Sequence, residues 1–255
     1  MSKISERIAR IAKAKISLVW FLLVALLLVG ASFPLQWLAR KNIIEAFAKV
    51  YYATEPYAHT TFLGIRSMQF PTDNWVMQEI ITEVNPDFII ETGTAAGGTT
   101  LFYATVLDAL NEKGKVLTMN IAPYLPDPKV SQFRVWRERV EFTQGSSIAP
   151  EVIDAIAQRV RGAKVLITLD SGHHADYVLK ELRLYAPLVS VGSYIVVQDT
   201  HLGGHPNHHE SEGDDGGPWE AVATFMKTEK NFVADHSREK HLITQYPSGF
   251  LKRIR

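Results

Sequence analysis

No cysteine occurs among the 255 residues, which excludes disulfides and thiolate metal sites without identifying a redox compartment. Neither sign of charge is in excess. The 27 Lys and Arg offset the 27 Asp and Glu, so the chain carries no general basic footprint for nucleic acid. One stretch lacks charge altogether, from Ile16 to Ala39. As a helix it would extend about 36 Å at 1.5 Å per residue, against a hydrocarbon core of about 30 Å.

Trp20 and Trp37 stand near the ends of that run, as interfacial anchors would. Ahead of it, Lys3, Arg7, Arg10, Lys13 and Lys15 outweigh Glu6, and Ile4, Ile8 and Ile11 share one helical face, a pattern suited to an anionic membrane surface. The expected plan is a basic amphipathic segment at 1–15, a hydrophobic membrane-associated helix at 16–39, a connector at 40–70 and a catalytic domain at 71–255. A cleaved leader fits less well, because Ala31-Ser32-Phe33 is a poor small-x-small site. An oligomerisation helix is the other alternative.

Past the connector, apolar runs alternate with helical patterns. Helices are expected at Trp75–Val84, Thr99–Leu110, Gln132–Arg139, Pro150–Arg159, Ala175–Tyr185 and Pro218–Thr228. Strands are expected at Asp87–Glu91, Lys115–Asn120, Val140–Gln144, Lys164–Asp170, Ser193–Asp199, Asn231–Asp235 and His241–Tyr246. Such alternation implies an α/β fold, a mostly parallel sheet with helices on both faces, whose ligands gather at the carboxyl ends of the strands.

Those ends are polar here: Glu91, Asn120, Gln144-Gly145-Ser146-Ser147, Asp170 and Gln198-Asp199. The first opens into Thr92-Gly93-Thr94-Ala95-Ala96-Gly97-Gly98-Thr99-Thr100, a glycine-rich turn into a helix. A dinucleotide fingerprint would read G-x-G-x-x-G with an acid about 20 residues later. Here the acid precedes the first glycine, and two more glycines follow at 97 and 98. Glycines let backbone approach a ligand closely, although a plain tight turn would use them too.

The turn resembles the E-x-G-x-x-x-G loop of class I S-adenosylmethionine (SAM) methyltransferases. Four segments in order resemble the cephalosporin hydroxylase family, which includes rhamnosyl O-methyltransferases. They are Pro86 to Gly93 with the glycines after it; Gln144 to Ser147; Leu169-Asp170-Ser171-Gly172-His173 through Glu181 to Val189 and on to Gln198-Asp199-Thr200; and Gly217-Pro218-Trp219-Glu220-Ala221-Val222 with Asp235 and Arg238-Glu239-Lys240, closing on Gly249 to Arg253. The likeness runs from about Thr61 to the carboxyl terminus and leaves out residues 1–40.

The resemblance implies a Rossmann-like class I methyltransferase fold, SAM as cofactor and a divalent cation, usually Mg²⁺. Carried across, Glu91, Gly93, Thr94, Gly97, Gly98, Thr99, Asn120, Gly145, Ser146, Ser147 and Asp170 would form the cofactor site, while Asp170, Gln198 and Asp199 would hold the metal. His173 is the expected general base, with Asp199 beside it in catalysis. The chemistry agrees, since Mg²⁺ favours hard oxygen ligands and a hydroxyl next to it deprotonates more readily. Two departures stand out. Gln198 replaces a common Glu, removing one charge from the metal set, and Asn120 stands where an Asp often holds the ribose. Residues 201–215, rich in His and acids, are expected to form a substrate-side lid with His201 and His205 near the metal.

The expected protein is a membrane-associated SAM-dependent O-methyltransferase acting on a hydroxyl of a sugar, glycolipid or other small acceptor. Its partners would be a small-molecule or lipid-linked acceptor, membrane lipid and further copies of the chain as a homo-oligomer, with no nucleic acid. SAM is cytosolic, which favours a catalytic domain on the cytoplasmic face although the positive-inside rule would export it. Asn120 and Gln198 favour an alternative, a membrane-tethered binding or assembly protein that kept the fold and lost the chemistry. An iron hydroxylase would need two His and a carboxylate, and the glycine loop speaks for SAM instead.

Overall fold

Apolar residues predominate on both faces of the central strands, so the sheet they form must be covered on both faces. The computed structural model describes residues 20–21, 38–110, 113–203 and 216–255. Two units divide the chain, residues 1–47 and 48–255. Residues 38–54 are helical (α1). β1 (Thr61–Phe62) and β2 (Ile65–Arg66) pair as a short antiparallel hairpin.

The main sheet contains β3 (Phe88–Thr92), β4 (Lys115–Asn120), β5 (Val140–Gln144), β6 (Val165–Leu169), β7 (Tyr194–Val197), β8 (Phe232–Ala234) and β9 (Phe250–Arg253). Their spatial order is β5-β4-β3-β6-β7-β9-β8. The first five run parallel, and β9 lies antiparallel to both β7 and β8. Six helices accompany it: α2 (Pro71–Val84), α3 (Gly98–Leu110), α4 (Arg134–Arg139), α5 (Pro150–Arg159), α6 (Ala175–Tyr185) and α7 (Pro218–Thr228). Proline opens α2, α5 and α7, where its missing N–H would have had no partner in any case.

Strand parity assigns each side chain to a face. Phe88, Ile90, Ile167, Leu169, Ile195 and Val197 pack in one core with α5, α6 and α7. Their neighbours Ile89, Leu166, Tyr194 and Val196 pack in the other with α2 and α3. Burial of each such aliphatic side chain contributes about 1.5–3 kcal/mol. Parity also decides where the polar residues at the strand ends point.

Two expectations are corrected here. No strand forms at 241–246, because the polar groups of that segment are used by α2: the Thr244 hydroxyl and the Gln245 amide both donate to the Asp73 carboxylate, at 2.5 and 2.8 Å. The strand forms at Phe250–Arg253 instead. The second correction concerns membrane attachment and the cytoplasmic-face placement built on it. Among the described residues, no helix is long and apolar enough to cross a membrane. α1 carries Arg40, Lys41, Glu45 and Lys49, too much charge for a span. Residues 1–15 and most of 16–39 lie outside the described residues.

Candidate active site

β4 departs to one side of β3 and β6 lies on the other, so a crevice opens beyond the tips of β3 and β6. Gly93 and Asp170 face each other across it. Gly93 has φ +92°, and a Cβ there would lie 1.7 Å from the Asp170 carbonyl oxygen. Only glycine lets these two backbones approach so closely.

The two later glycines of the loop lie against packed neighbours. A Cβ on Gly97 would meet the Trp136 ring at 3.0 Å, and one on Gly98 would meet the Arg66 carbonyl oxygen at 2.4 Å. Glu91 is fully buried beneath the loop and does not line the crevice. Its Oε2 accepts hydrogen bonds from the hydroxyls of Thr118, at 2.7 Å, and Thr100, while Oε1 has no partner. Burial pushes its carboxyl up to about 7, against the downward pull of the two threonines. The Thr94 hydroxyl joins the same group through Thr118 at 2.6 Å, and the Thr99 hydroxyl donates to the Ser67 carbonyl at 2.8 Å.

Asp170, His173 and Asp199 each turn one ligand atom to a common point, all within 4.8 Å of one another. Nε2 of His173 lies 3.1 Å from Oδ2 of Asp199. On the other Asp199 oxygen, Nδ1 of His201 stands at 3.7 Å. The Gln245 carbonyl, 3.0 Å from that Nδ1, can only accept, so Nδ1 carries a proton. Tyr52 stacks on the His201 ring and its hydroxyl lies 2.5 Å from Nε2. Burial and then the Asp199 charge push Asp170 well above the usual carboxylate range. Burial also acts upward on Asp199, but the His173 hydrogen bond and the charges of His173 and His201 outweigh it and hold Asp199 low.

Gln198 is absent from this group. It shares the parity of Tyr194 and Val196 and points under α2 and α3. Its Oε1 accepts from Gln69 Nε2 at 2.7 Å and from the Tyr246 hydroxyl at 2.9 Å; its Nε2 donates to the Thr168 hydroxyl at 2.6 Å. These contacts hold the amide beneath the helices and away from the carboxylate cluster. Sequence reasoning missed Gln69, whose Nε2 also donates to Asp170 at 3.1 Å. It missed Tyr52 and Arg66 as well, and the cluster of tyrosines at 51, 52 and 57 was the available signal.

The crevice holds a main cavity of about 480 Å³ and an adjoining one of about 190 Å³. Gly93, Thr94, Thr99, Asp170, His173 and Asp199 line the main cavity. Gly145, Ser147 and Tyr177 line the smaller one, where the Tyr177 hydroxyl lies 2.9 Å from that of Ser147 and 3.3 Å from that of Ser146. Asn120, Tyr124 and Ser171 border both. Asn120 Oδ1 accepts from the Ile121 amide at 2.9 Å. Residues 204–215, including His205 of the expected lid, lie outside the described residues.

The family described as rhamnosyl O-methyltransferase/CmcI matches residues 55–254. The chain belongs to this family. A rhamnosyl O-methyltransferase of Mycobacterium bovis (strain BCG / Pasteur) is 34% identical over 238 residues, covering 91% of this chain and 94% of that one. Its Mycobacterium leprae counterpart is 33% identical over 220 residues, covering 83% and 91%. Among solved structures, CmcI without ligand superposes with a TM-score of 0.57 at 14% identity, over 78% of this chain and 77% of that one. The Bacillus cereus O-methyltransferase with S-adenosylhomocysteine (SAH) gives 0.52 at 18%, over 75% and 81%. These two show the class I methyltransferase fold. This family member is an enzyme, a SAM-dependent O-methyltransferase, and the non-catalytic alternative falls away.

Proposed function

We propose that this enzyme methylates a hydroxyl of a rhamnosyl unit, with a divalent cation held by Asp170, His173 and Asp199. The observation that carries the reading is the convergence of two carboxylates and an imidazole within 4.8 Å on the wall of the main cavity. The curated relatives at 33–34% identity are named for rhamnosyl transfer of a methyl group, and one CmcI structure with the same fold was solved with Mg and SAM.

The two cavities suit SAM, a molecule with a flat nucleoside at one end and an amino acid at the other. The smaller one, with the Asn120 amide at its border, accommodates the nucleoside. The main one, with the Gly93 turn, accommodates the methionine end. SAM supplies an electrophilic methyl on its sulfonium, and a divalent cation lowers the pKa of a nearby hydroxyl and fixes its orientation. His173 is assigned to the cation set in place of the expected general-base role, since its Nε2 already lies against Asp199. Tyr52 and His201 border the same cavity; both His201 nitrogens are engaged, while the Tyr52 oxygen keeps a lone pair for the acceptor hydroxyl. The acceptor oxygen must lie in line with the sulfur–methyl bond, so much of the acceleration comes from positioning.

The test is incubation of the full chain with methyl-labelled SAM and a rhamnoside, with and without EDTA. Label in the sugar that EDTA abolishes and Mg²⁺ restores supports the reading. Transfer undiminished by EDTA removes the cation, and absence of transfer to any rhamnoside removes the acceptor.

A further inference from the structure

We propose that Arg66 anchors the carboxylate of the SAM methionine group, an inference that rests on the cofactor reading above. Arg66 closes β2 and lines the main cavity beside Ser67, Gly93, Thr94 and Thr99. Its backbone is fixed against the glycine loop. Thr99 donates to the Ser67 carbonyl at 2.8 Å, the two hydroxyls of that pair lie 3.0 Å apart, and Gly98 passes directly beneath the Arg66 carbonyl.

The guanidinium makes no hydrogen bond or ion pair with any described residue and is solvent-exposed. It is also the one permanently charged cation among the described residues that line this cavity, whose acidic side chains are Asp170 and Asp199. SAM has a single anionic centre, its methionine carboxylate. Placed at the cluster, that centre would compete with Asp170 and Asp199 for the cation; placed at Arg66 it meets a planar fork of donors matched to a carboxylate. The smaller cavity offers it no charged side chain. Arg66 is therefore a binding residue that orients the methionine end while the sulfonium faces the cation cluster.

Calorimetric titration of the full chain tests this with two probes, SAH and an SAH analogue in which hydrogen replaces the carboxylate. Arg66→Ala is expected to bind SAH about tenfold more weakly, the scale of one charge-assisted contact open to solvent, and to bind the analogue within about twofold of the parent enzyme. The parent should itself prefer SAH to the analogue by about the same tenfold, and Arg66→Lys should recover part of the loss. Equal losses for both probes, or no loss for either, would overturn the assignment while leaving the cofactor reading intact. A parent enzyme that binds neither probe would overturn both. Unchanged thermal melting of the variants establishes that the fold is retained.

Discussion

Nε2 of Gln69 lies 3.1 Å from Oδ2 of Asp170, so a neutral amide braces one carboxylate of the candidate cation cluster. The same nitrogen bonds Gln198, and the Tyr246 hydroxyl reaches the oxygens of both glutamines. Gln69→Leu removes a shared partner from Asp170, Gln198 and Tyr246. We expect a stability loss of about 1–3 kcal/mol in chemical denaturation, with Mg²⁺ affinity lowered several-fold in calorimetry.

At the tip of β3, the clearance between two backbones predicts a graded response to a methyl group. Gly93→Ala places a Cβ on the Asp170 carbonyl at positive φ and should destabilise by more than about 3 kcal/mol. Gly97→Ala shares the positive φ, at +91°, but meets side chains alone, the Trp136 ring and Val130, and should cost less, about 1–3 kcal/mol. Thermal melts of the pair check the order.

Glu91 predicts a pH dependence of stability. Its folded carboxyl titrates near 7 against an ordinary 4.5, so the folded state binds the proton more tightly. Between those values folding takes up a proton, and stability declines as pH rises, by up to about 3 kcal/mol, levelling off above pH 7. Glu91→Gln keeps an acceptor for Thr100 and Thr118 and removes this contribution. Melting temperatures from pH 5 to 8 should therefore fall less steeply in the variant. Asp73, also pushed up to about 7, is retained in both proteins, so the difference between the curves isolates Glu91.

Asp199→Asn should abolish calorimetric Mg²⁺ binding and lower turnover by roughly a hundredfold or more, consistent with several kcal/mol of cation-derived stabilisation. SAH affinity should change little. A variant that retains full turnover would place the cation elsewhere.

Tyr52→Phe keeps the ring stacked on His201 and deletes the hydroxyl bonded to Nε2. We expect about a tenfold loss in kcat/KM for the acceptor, with SAH affinity unaffected. Steady-state kinetics with the acceptor varied would separate KM from kcat.

The parallel sheet was legible because uninterrupted apolar runs such as Phe88-Ile89-Ile90 and Val165-Leu166-Ile167 leave few alternatives to a doubly covered strand. Asp170 and Asp199 were legible as a pair because both end strands on one rim, whereas His173 was expected there as a general base and not as a third ligand. Gln198 was not legible, since its orientation follows from strand parity and from Gln69, 129 positions earlier in the chain. The segment 241–246 looked like a strand by its alternation. Its fate was decided by a buried carboxylate on α2, and no local pattern announces such a partner. Arg66 and Tyr52 were passed over inside what read as a connector, because side chains that border a cavity from a hairpin or a helix end carry no periodic signature.

The contact of the Gly93 turn with the Asp170 carbonyl has a consequence for altering substrate range. Because these two loops interlock through backbone atoms, side-chain substitution at the sheet tips offers little room to adjust the spacing between the glycine turn and the Asp170 segment. Tunability lies in the residues that enter from elsewhere, Tyr52, Tyr57, Met68 and Leu202. A library built on those four positions should shift acceptor preference while sparing cofactor use, whereas one built on the loops should return mostly misfolded chains.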